Sequence, residues 1–562
     1  MTNWYITDDY KLKKMYGYKA LYNFQNKIQG LYVCTFDDAL ELLIASGGHL
    51  YKITEVQLND EENWNTIVPT DLGTISDQLV TFFAFDKKIY LLDGEEYRVY
   101  DGTSLKIVDG YIPKIIVSAT PAGDGTDYEA INLLTGKKHM TFNGNGTDKV
   151  FHMPEKNLVS VDKVIVNTVE MTDQYTIDLI EGTVTFNEAP SEAMDNVDIY
   201  WTTNNNDRHF ISNMHAGIVF GGDTDTRVFM YGNKDEPNRI RYSSVANLVP
   251  SVEYFPGVNQ LDAGTSNFDV TDLRRQYDRL IVTTNKPDAY YITLSTIDIE
   301  GVTTLSPQTL PLNEVHGNVA FAQGQVINND PITIENNAII RWTSTNVRDE
   351  RNMTDISERI KLDLSGFNLK NAITCDYQSH TQLWIAVNNT VYIYNYYNDT
   401  FSRIVFNHEP SAFVIIDNRI YMGTEDGYLM KLGEEYQDYA GSPIKAHWEM
   451  DFYDFGVPYL RKTMNRLWVL MQPQAKSSAE IGYITNRNEL AIKKRIEYSL
   501  VLLDDVDFAD FSFQVSQNPQ PFRLKMKAKK FTNLKITIDN NDDTDATILS
   551  LSLKVETGGE SK

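Results

Sequence analysis

Short runs in which apolar and polar residues alternate, each ended by a turn signal, fill most of the chain. Glu41-Leu42-Leu43-Ile44-Ala45, then Ser46-Gly47-Gly48, then His49-Leu50-Tyr51-Lys52-Ile53 reads as strand, tight turn, strand. Paired glycines supply the positive φ that a two-residue hairpin turn requires. The pattern returns at Lys88-Ile89-Tyr90-Leu91-Leu92, Asp93-Gly94 and Tyr97-Arg98-Val99-Tyr100. It returns again at Gly217-Ile218-Val219-Phe220-Gly221-Gly222, with Arg227-Val228-Phe229-Met230-Tyr231-Gly232 as the partner strand. Few windows hold a 3.6-residue period over a dozen positions, so the pattern predicts no long helices.

The alternating unit repeats. Cys34 and Cys375 are each followed by Ile-Ala ten and eleven residues later, by a turn pair (Gly47-Gly48, Asn388-Asn389) and then by a tyrosine (Tyr51, Tyr392), at a constant offset of 341. Asp86-Lys87-Lys88-Ile89-Tyr90 parallels Asp417-Asn418-Arg419-Ile420-Tyr421, and Tyr277-Asp278-Arg279-Leu280-Ile281-Val282 is a weaker copy. A unit of this size cannot bury both faces alone. Stacking four-stranded sheets radially buries them and leaves only short edges. The expected fold is therefore all-β: a six- or seven-bladed β-propeller with blades near 21–56, 77–110, 209–248, 265–300, 315–360, 366–406 and 407–435. Its alternative is a pair of β-sandwiches with similar hairpins.

Two stretches break the repeat. Residues 113–206 begin after Tyr111-Ile112-Pro113 and carry the turns Gly123-Asp124-Gly125-Thr126-Asp127 and Asn143-Gly144-Asn145-Gly146-Thr147-Asp148 between antiparallel strand patterns. They read as a small β-sandwich inserted in a loop, folding by itself. Residues 436–562, with Trp448-Glu449-Met450-Asp451-Phe452, Arg466-Leu467-Trp468-Val469-Leu470 and Leu534-Lys535-Ile536-Thr537-Ile538, read as a C-terminal β-sandwich-like domain whose end, 556–562, is frayed. The propeller is then divided between 1–112 and 207–435, the N-terminal strands closing the ring beside the last blade.

Composition narrows the class. Of 562 residues, 42% are hydrophobic and 23% charged, as in a folded globular protein. The balance of 51 Lys and Arg against 77 Asp and Glu, net −26, argues against a coat for nucleic acid, which needs clustered cations. No basic region leads an apolar segment at the N-terminus. No apolar run approaches the roughly 20 residues of a membrane span, so no membrane span is expected and the chain is expected to be made and used in water. Two cysteines exclude a disulfide scaffold and a thiolate zinc site.

Chemistry is sparse. Asp539-Asn540-Asn541-Asp542-Asp543-Thr544-Asp545 sets oxygen atoms at alternate positions, as a calcium loop does, but Thr544 and Ser550 stand where that loop needs Gly and Glu. It reads as a hairpin turn, and the turns at 123–127 and 143–148 read likewise. The nine histidines, at positions 49, 139, 152, 209, 215, 316, 380, 408 and 447, include no metal-ligand spacing. Cys34 and Cys375 read as buried packing residues. No nucleophile elbow, phosphate loop or dinucleotide loop occurs, and no Ser-x-Asp-x-Gly-x-x-Trp box. Asp376, Glu425 and Asp426 are conceivable paired carboxylates among dozens of acids. No catalytic, cofactor-binding or metal-binding residue is therefore assigned, no cofactor is expected, and the chain is read as not an enzyme.

Three segments carry a resemblance. Arg227–Asn233 runs into Glu236-Pro237-Asn238-Arg239-Ile240-Arg241-Tyr242-Ser243. Asn346-Val347-Arg348-Asp349-Glu350-Arg351-Asn352 leads through Ser357-Glu358-Arg359-Ile360 and Lys370-Asn371-Ala372-Ile373 to Trp384-Ile385-Ala386-Val387-Asn388-Asn389-Thr390-Val391-Tyr392. In the insertion, Phe142-Asn143-Gly144-Asn145-Gly146 leads to Ser160-Val161-Asp162-Lys163-Val164. Over most of 20–460 the chain resembles tail-associated virion proteins of tailed bacteriophages and prophages, and by analogy the nozzle, or tail tubular protein B-like, family of short-tailed phages. The resemblance implies a structural protein of the virion tail, made in the bacterial cytoplasm. It implies a homo-oligomeric ring, a hexamer by analogy, that meets other tail and adaptor proteins and passes double-stranded viral DNA without sequence-specific binding. A bore lined by such a chain should be acidic or neutral, because lysines facing DNA would hold it. The competing readings are a propeller that binds host-surface glycan, with Tyr394-Asn395-Tyr396-Tyr397-Asn398 as a sugar-stacking loop, and, third, a glycoside-active propeller enzyme.

Overall fold

The structure, a computed structural model, describes residues 1–222, 225–247, 249–299, 302–343, 353–474, 476–499 and 518–560. The Asn346–Asn352 part of the resemblance lies outside them. Among the described residues, helices span one or two turns, as at Glu55–Asn59, His209–Ser212 and Lys361–Leu364. Among the described residues of 18–432, seven four-stranded sheets follow one another along the chain. In order, they are Ile28–Phe36, Ala39–Ser46, His49–Thr54 and Thr70–Thr74; then Thr81–Phe85, Lys88–Leu92, Tyr97–Tyr100 and Leu105–Ile107. The third holds Ala216–Gly222, Asp225–Tyr231, Arg239–Tyr242 and Gln260–Asp262, and the fourth Val270–Gln276, Arg279–Thr284, Ala289–Ile299 and Val302–Asn313. The fifth holds Gln325–Ile327, Asp330–Ile334, Ile339–Trp342 and Met353–Asp355, and the sixth Ile373–Tyr377, Gln382–Val387, Thr390–Asn395 and Thr400–Val405. The seventh takes Pro410–Ile416, Arg419–Thr424 and Tyr428–Leu432 from consecutive chain, and its fourth strand, Tyr18–Asn23, from near the N-terminus.

The repeated sequence pattern marks repeated turn geometry. Between first and second strands, Asp37-Asp38, Asp86-Lys87, Asn328-Asn329 and Asp417-Asn418 all adopt positive φ, from 45° to 66°. Two consecutive left-handed residues twist a hairpin the way its strands twist, and Asp and Asn tolerate that conformation better than most residues. Cys34 and Cys375 both lie on first strands, and Gly47-Gly48 and Asn388-Asn389 both turn from second to third strand. The 341-residue offset is thus a structural equivalence between the first and sixth sheets.

By contact the chain divides into two units: Met1–Val33 with Ile53–Pro69 and Ser357–Lys562, and Cys34–Lys52 with Thr70–Ile356. In the second unit, the first strands of the second, third, fourth and fifth sheets contact one another in turn. Apolar residues fill the space between consecutive sheets: Phe83, Tyr90, Leu92, Val228 and Met230 in one layer, Phe229, Tyr231, Ile240, Leu273 and Val282 in the next. In the first unit the sixth and seventh sheets likewise touch through their first strands, around Trp384, Ile393, Met422, Met430 and Tyr18. Strands buried on both faces read as continuous apolar runs, which is why Gln382–Val387 and Thr390–Asn395 are buried at every position.

The insertion, within the second unit, packs a six-stranded sheet against the three-stranded sheet Val150–His152, Thr183–Phe186 and Tyr175–Asp178. Phe142, Phe151 and Phe186 meet edge to face at 5.3 and 5.2 Å in its core. It departs from the all-antiparallel expectation at one pair. Lys114–Ala119 runs parallel to Lys137–Gly144, because residues 120–136 form the crossover that parallel strands require.

The C-terminal sandwich, within the first unit, stacks Ala446–Glu449, Leu534–Asn540, Lys476–Thr485 and Asn488–Ser499 on a second sheet. That second sheet contains Leu460–Met471, Thr547–Glu560, Pro521–Leu524 and Ala528–Phe531, and also Trp4–Ile6 and Leu12–Lys14 from the N-terminus. Two expectations change here. The blade region begins near Tyr18 rather than at residue 1, because fully buried Trp4 belongs to the sandwich core and Leu12 pairs with Ile548. Residues 556–560 are not frayed. They continue a strand whose Glu560 pairs with Leu460, backbone pairing outlasting the apolar pattern.

Candidate functional site

The residues weighed for chemistry are dispersed among structural roles. Burial pushes the Asp376 carboxyl up to about 6, with the Tyr396 hydroxyl 3.4 Å away. Glu425 pairs with Lys27 at 2.5 Å, and Asp426 accepts from His408 Nδ1 at 2.8 Å. The three carboxylates thus have three different partners. Nδ1 of His139, His316 and His447 likewise lies 2.6–2.8 Å from a carboxylate. Cys34 and Cys375 are buried, which pushes both thiols up to about 12. That is the wrong direction for a nucleophile at neutral pH. In the aromatic loop, Tyr394 is buried and stacks on Phe401, Asn395 and Asn398 bond Asp8 and Thr7, and Tyr397 alone points outward at 70% exposure. Among the described residues, no group of three or more His, Cys, Asp or Glu could hold a metal, and no helix is long and apolar enough to cross a membrane.

The acidic loop 539–545 is not a plain hairpin turn. Lys14, on the N-terminal strand Leu12–Lys14, is 2% exposed and sends its ammonium into the loop. Nζ donates to Asn540 Oδ1 at 2.8 Å, Asp542 O at 2.6 Å and Thr544 O at 2.9 Å. The chain supplies its own cation to a ring of oxygens. Burial pulls the Lys14 pKa down to about 8, against the opposing pull of Asp545, Asp543 and Asp542.

A cleft of about 330 Å³ in the second unit is lined by His215, Gly232, Asn233, Lys234, Pro237, Asp269, Val270 and Phe321. Its walls come from three sheets. His215 immediately precedes Ala216–Gly222, and residues 232–237 turn between the second and third strands of the third sheet. Asp269 enters the fourth sheet, and Phe321 precedes the fifth. His215 is anchored through both its ring and its backbone. Nδ1–H donates to Gly232 O at 2.9 Å, and Thr81 Oγ1 donates to His215 O at 2.7 Å. The backbone of Gly94, at φ +77°, lies so close that a Cβ there would overlap the imidazole. Burial, reinforced by the Lys234 charge, holds the His215 pKa below its ordinary value, and Nε2 lies 3.4 Å from Gln78 Oε1. Phe321 meets the imidazole edge to face at 6.1 Å. Lys234 Nζ lies 3.3 Å from Gln78 Oε1, and Asp269 Oδ2 accepts from Asn285 Nδ2 at 2.6 Å. The cleft thus sets an apolar floor beside one cation, one carboxylate and one imidazole at its rim.

Sequence reasoning passed over this cleft because its parts are spread from Gln78 to Phe321. The one local signal was the Gly232-Asn233 turn inside a segment that carries the resemblance. That segment is mainly structural. Glu236 bridges Arg239 and Arg241, Arg239 also binds Asp262 at 2.9 Å, and Arg241 lies 4.6 Å over the Phe210 ring.

No family model matches the chain, and no curated protein matches it in sequence. Among solved structures it is similar to BamB from Moraxella catarrhalis, with 11% identity over 72% of this chain and 93% of that one and a TM-score of 0.33. The AfRom2 CNH domain matches with 8% identity over 75% and 99%, TM-score 0.36. The computationally designed Ika8 protein matches with 10% over 74% and 99%, TM-score 0.32. Likeness at this level assigns neither a family nor a role.

Proposed function

We propose that the seven four-stranded sheets are the blades of one propeller, and that the chain is a structural, non-enzymatic component of a bacteriophage tail. In this reading several copies form a ring in the virion that carries other tail proteins and passes double-stranded DNA through an acidic or neutral bore. The observation that carries the architecture is the seventh sheet. Its outer strand, Tyr18–Asn23, comes from the opposite end of the chain and pairs with Tyr428–Leu432, the device by which a circular array of blades closes. First-strand contacts among the second to fifth sheets, and between the sixth and seventh, support the same geometry. The tail role rests on the sequence resemblance at 227–243 and 357–392.

Electron microscopy of the purified protein and of virions tests this. A ring with an axial hole is expected. A single copy per virion, a three-fold tip without a bore, or a bore lined mainly by Lys and Arg would refute it. The second reading, a glycan-binding propeller, is favoured by the His215–Phe321 cleft, whose volume and aromatic wall suit one monosaccharide. Saturation-transfer NMR with host-surface oligosaccharides, repeated on Phe321→Ala, separates it from the first.

A further inference from the structure

The acidity of the chain is unevenly placed. Residues 436–562 hold 17 Lys and Arg against 17 Asp and Glu, so the whole excess of −26 lies in 1–435, where the count is 34 against 60. Within the C-terminal sandwich the cations are concentrated further. From Asn518 to Ile538 there are six Lys or Arg and no acid. Leu524, Met526 and Ala528 are buried in the core and Phe522 packs against it, whereas Arg523, Lys525, Lys527 and Lys529 are exposed. Alternation thus puts the four cations on the outer side, roughly 6.6 Å apart where the chain is extended.

A second edge adjoins this one. Asn488–Ser499, the last strand of the other sheet, exposes Lys493, Lys494 and Arg495. Tyr498 ties it to the first edge. Its hydroxyl donates to Gln520 O at 2.9 Å, and its ring lies 4.6 Å from that of Phe522, while the Tyr483 hydroxyl donates to Lys527 O at 2.8 Å. Lys493 and Arg495 are engaged by Glu480, Asp539, Glu497 and Asp542. Among the described residues, no carboxylate lies within ion-pair distance of Lys494, Arg523, Lys525, Lys527, Lys529 or Lys530.

We propose that this basic edge of the C-terminal sandwich docks one copy of the chain onto an acidic surface of the next copy, head to tail. This rests on the homo-oligomer reading above. Copies carrying −26 each repel, so a stable contact between them needs a patch where the sign reverses. Two unlike patches meeting in this way make a heterologous interface, the kind that closes into rings. The insertion shows what an acidic counterpart looks like, with 14 Asp and Glu against 6 Lys and Arg in residues 113–206. Duplex DNA is the less favoured occupant, because the same −26 opposes its approach.

The test uses the full chain and a Lys525→Glu/Lys527→Glu/Lys529→Glu variant, three exposed positions whose reversal should leave the melting temperature unchanged. Sedimentation at about 50 mM and about 500 mM salt should show parent oligomers that dissociate as salt rises. The variant should associate at least about tenfold more weakly at low salt. A variant that assembles like the parent overturns the proposal and leaves the oligomer reading standing. A parent that stays monomeric at every concentration overturns the proposal, while imaging of the virion decides the oligomer reading separately. Parent binding to a fluorescein-labelled duplex of about 20 base pairs, lost in the variant without any assembly, assigns the strip to nucleic acid and also overturns it.

Discussion

Replacing Lys14 by Met removes the ammonium from the 539–545 loop while keeping an unbranched stem of similar length. Three acceptors then lose their donor: Asn540 Oδ1 and the carbonyls of Asp542 and Thr544. Hydrogen bonds to a charged group contribute about 1.5–3 kcal/mol each, so the loss is of order 5–9 kcal/mol. Against it stands the cost of burying the charge. A pKa pulled from 10.5 to about 8 corresponds to roughly 3 kcal/mol at neutral pH. The difference predicts a net destabilisation of about 2–6 kcal/mol at pH 7. The pH dependence carries a sign of its own. Between pH 8 and 10.5 the unfolded chain still holds the Lys14 proton while the folded chain has released it, so stability of the parent rises with pH in that window. Lys14→Met lacks this gain, so the gap between the two proteins should widen there by up to about 3 kcal/mol, other titrations cancelling in the difference. Trp4 and Trp448, in and against the sandwich core, report the transition by fluorescence during urea unfolding. A variant within about 0.5 kcal/mol of the parent at pH 7, or a gap that narrows above pH 8, would refute the clamp.

Further outcomes follow from other buried contacts. A Cβ at Gly324 would overlap the carboxylate of fully buried Asp272, which the Tyr231 hydroxyl and Arg274 hold in place, so Gly324→Ala should cost about 2–4 kcal/mol in chemical denaturation; a neutral effect would mean that Asp272 is free to move. Asp376, raised to about 6 by burial, favours the folded state when protonated and loses that advantage as pH rises through 6. Asp376→Asn should therefore match the parent near pH 4 and exceed it by about 1 kcal/mol at pH 7.5, allowing for partial exposure, and equal stability at both pH values would contradict this. Residues 113–206 expressed alone should keep slowly exchanging amides in Lys137–Gly144 and Ala193–Thr202, the paired centre of their sheet; uniformly fast exchange would show that the module needs the rest of its unit.

Much of the architecture was legible along the chain because it is local. A two-residue period sets which face of a strand is buried, and turn pairs at Asp86-Lys87, Asp417-Asn418 and Gly47-Gly48 mark hairpin turns that need positive φ. The recurrence of the strand–turn–strand unit and the shortness of the helices among the described residues follow from such neighbours. Every feature that joins distant positions was decided by the tertiary structure. Tyr18–Asn23 carries no mark that it completes the sheet of Tyr428–Leu432, and nothing near Trp4 or Lys14 announces a sandwich more than 430 residues away. The 539–545 loop looked like an incomplete metal loop because its cation is a side chain from the other end of the sequence. The cleft likewise draws His215, Lys234, Asp269 and Phe321 from three sheets. Alternation and turn chemistry act between residues that are already close. Pairing of strand edges, burial of a charge and the shape of a cleft depend on which remote surfaces meet, and that is determined only when the whole chain has packed.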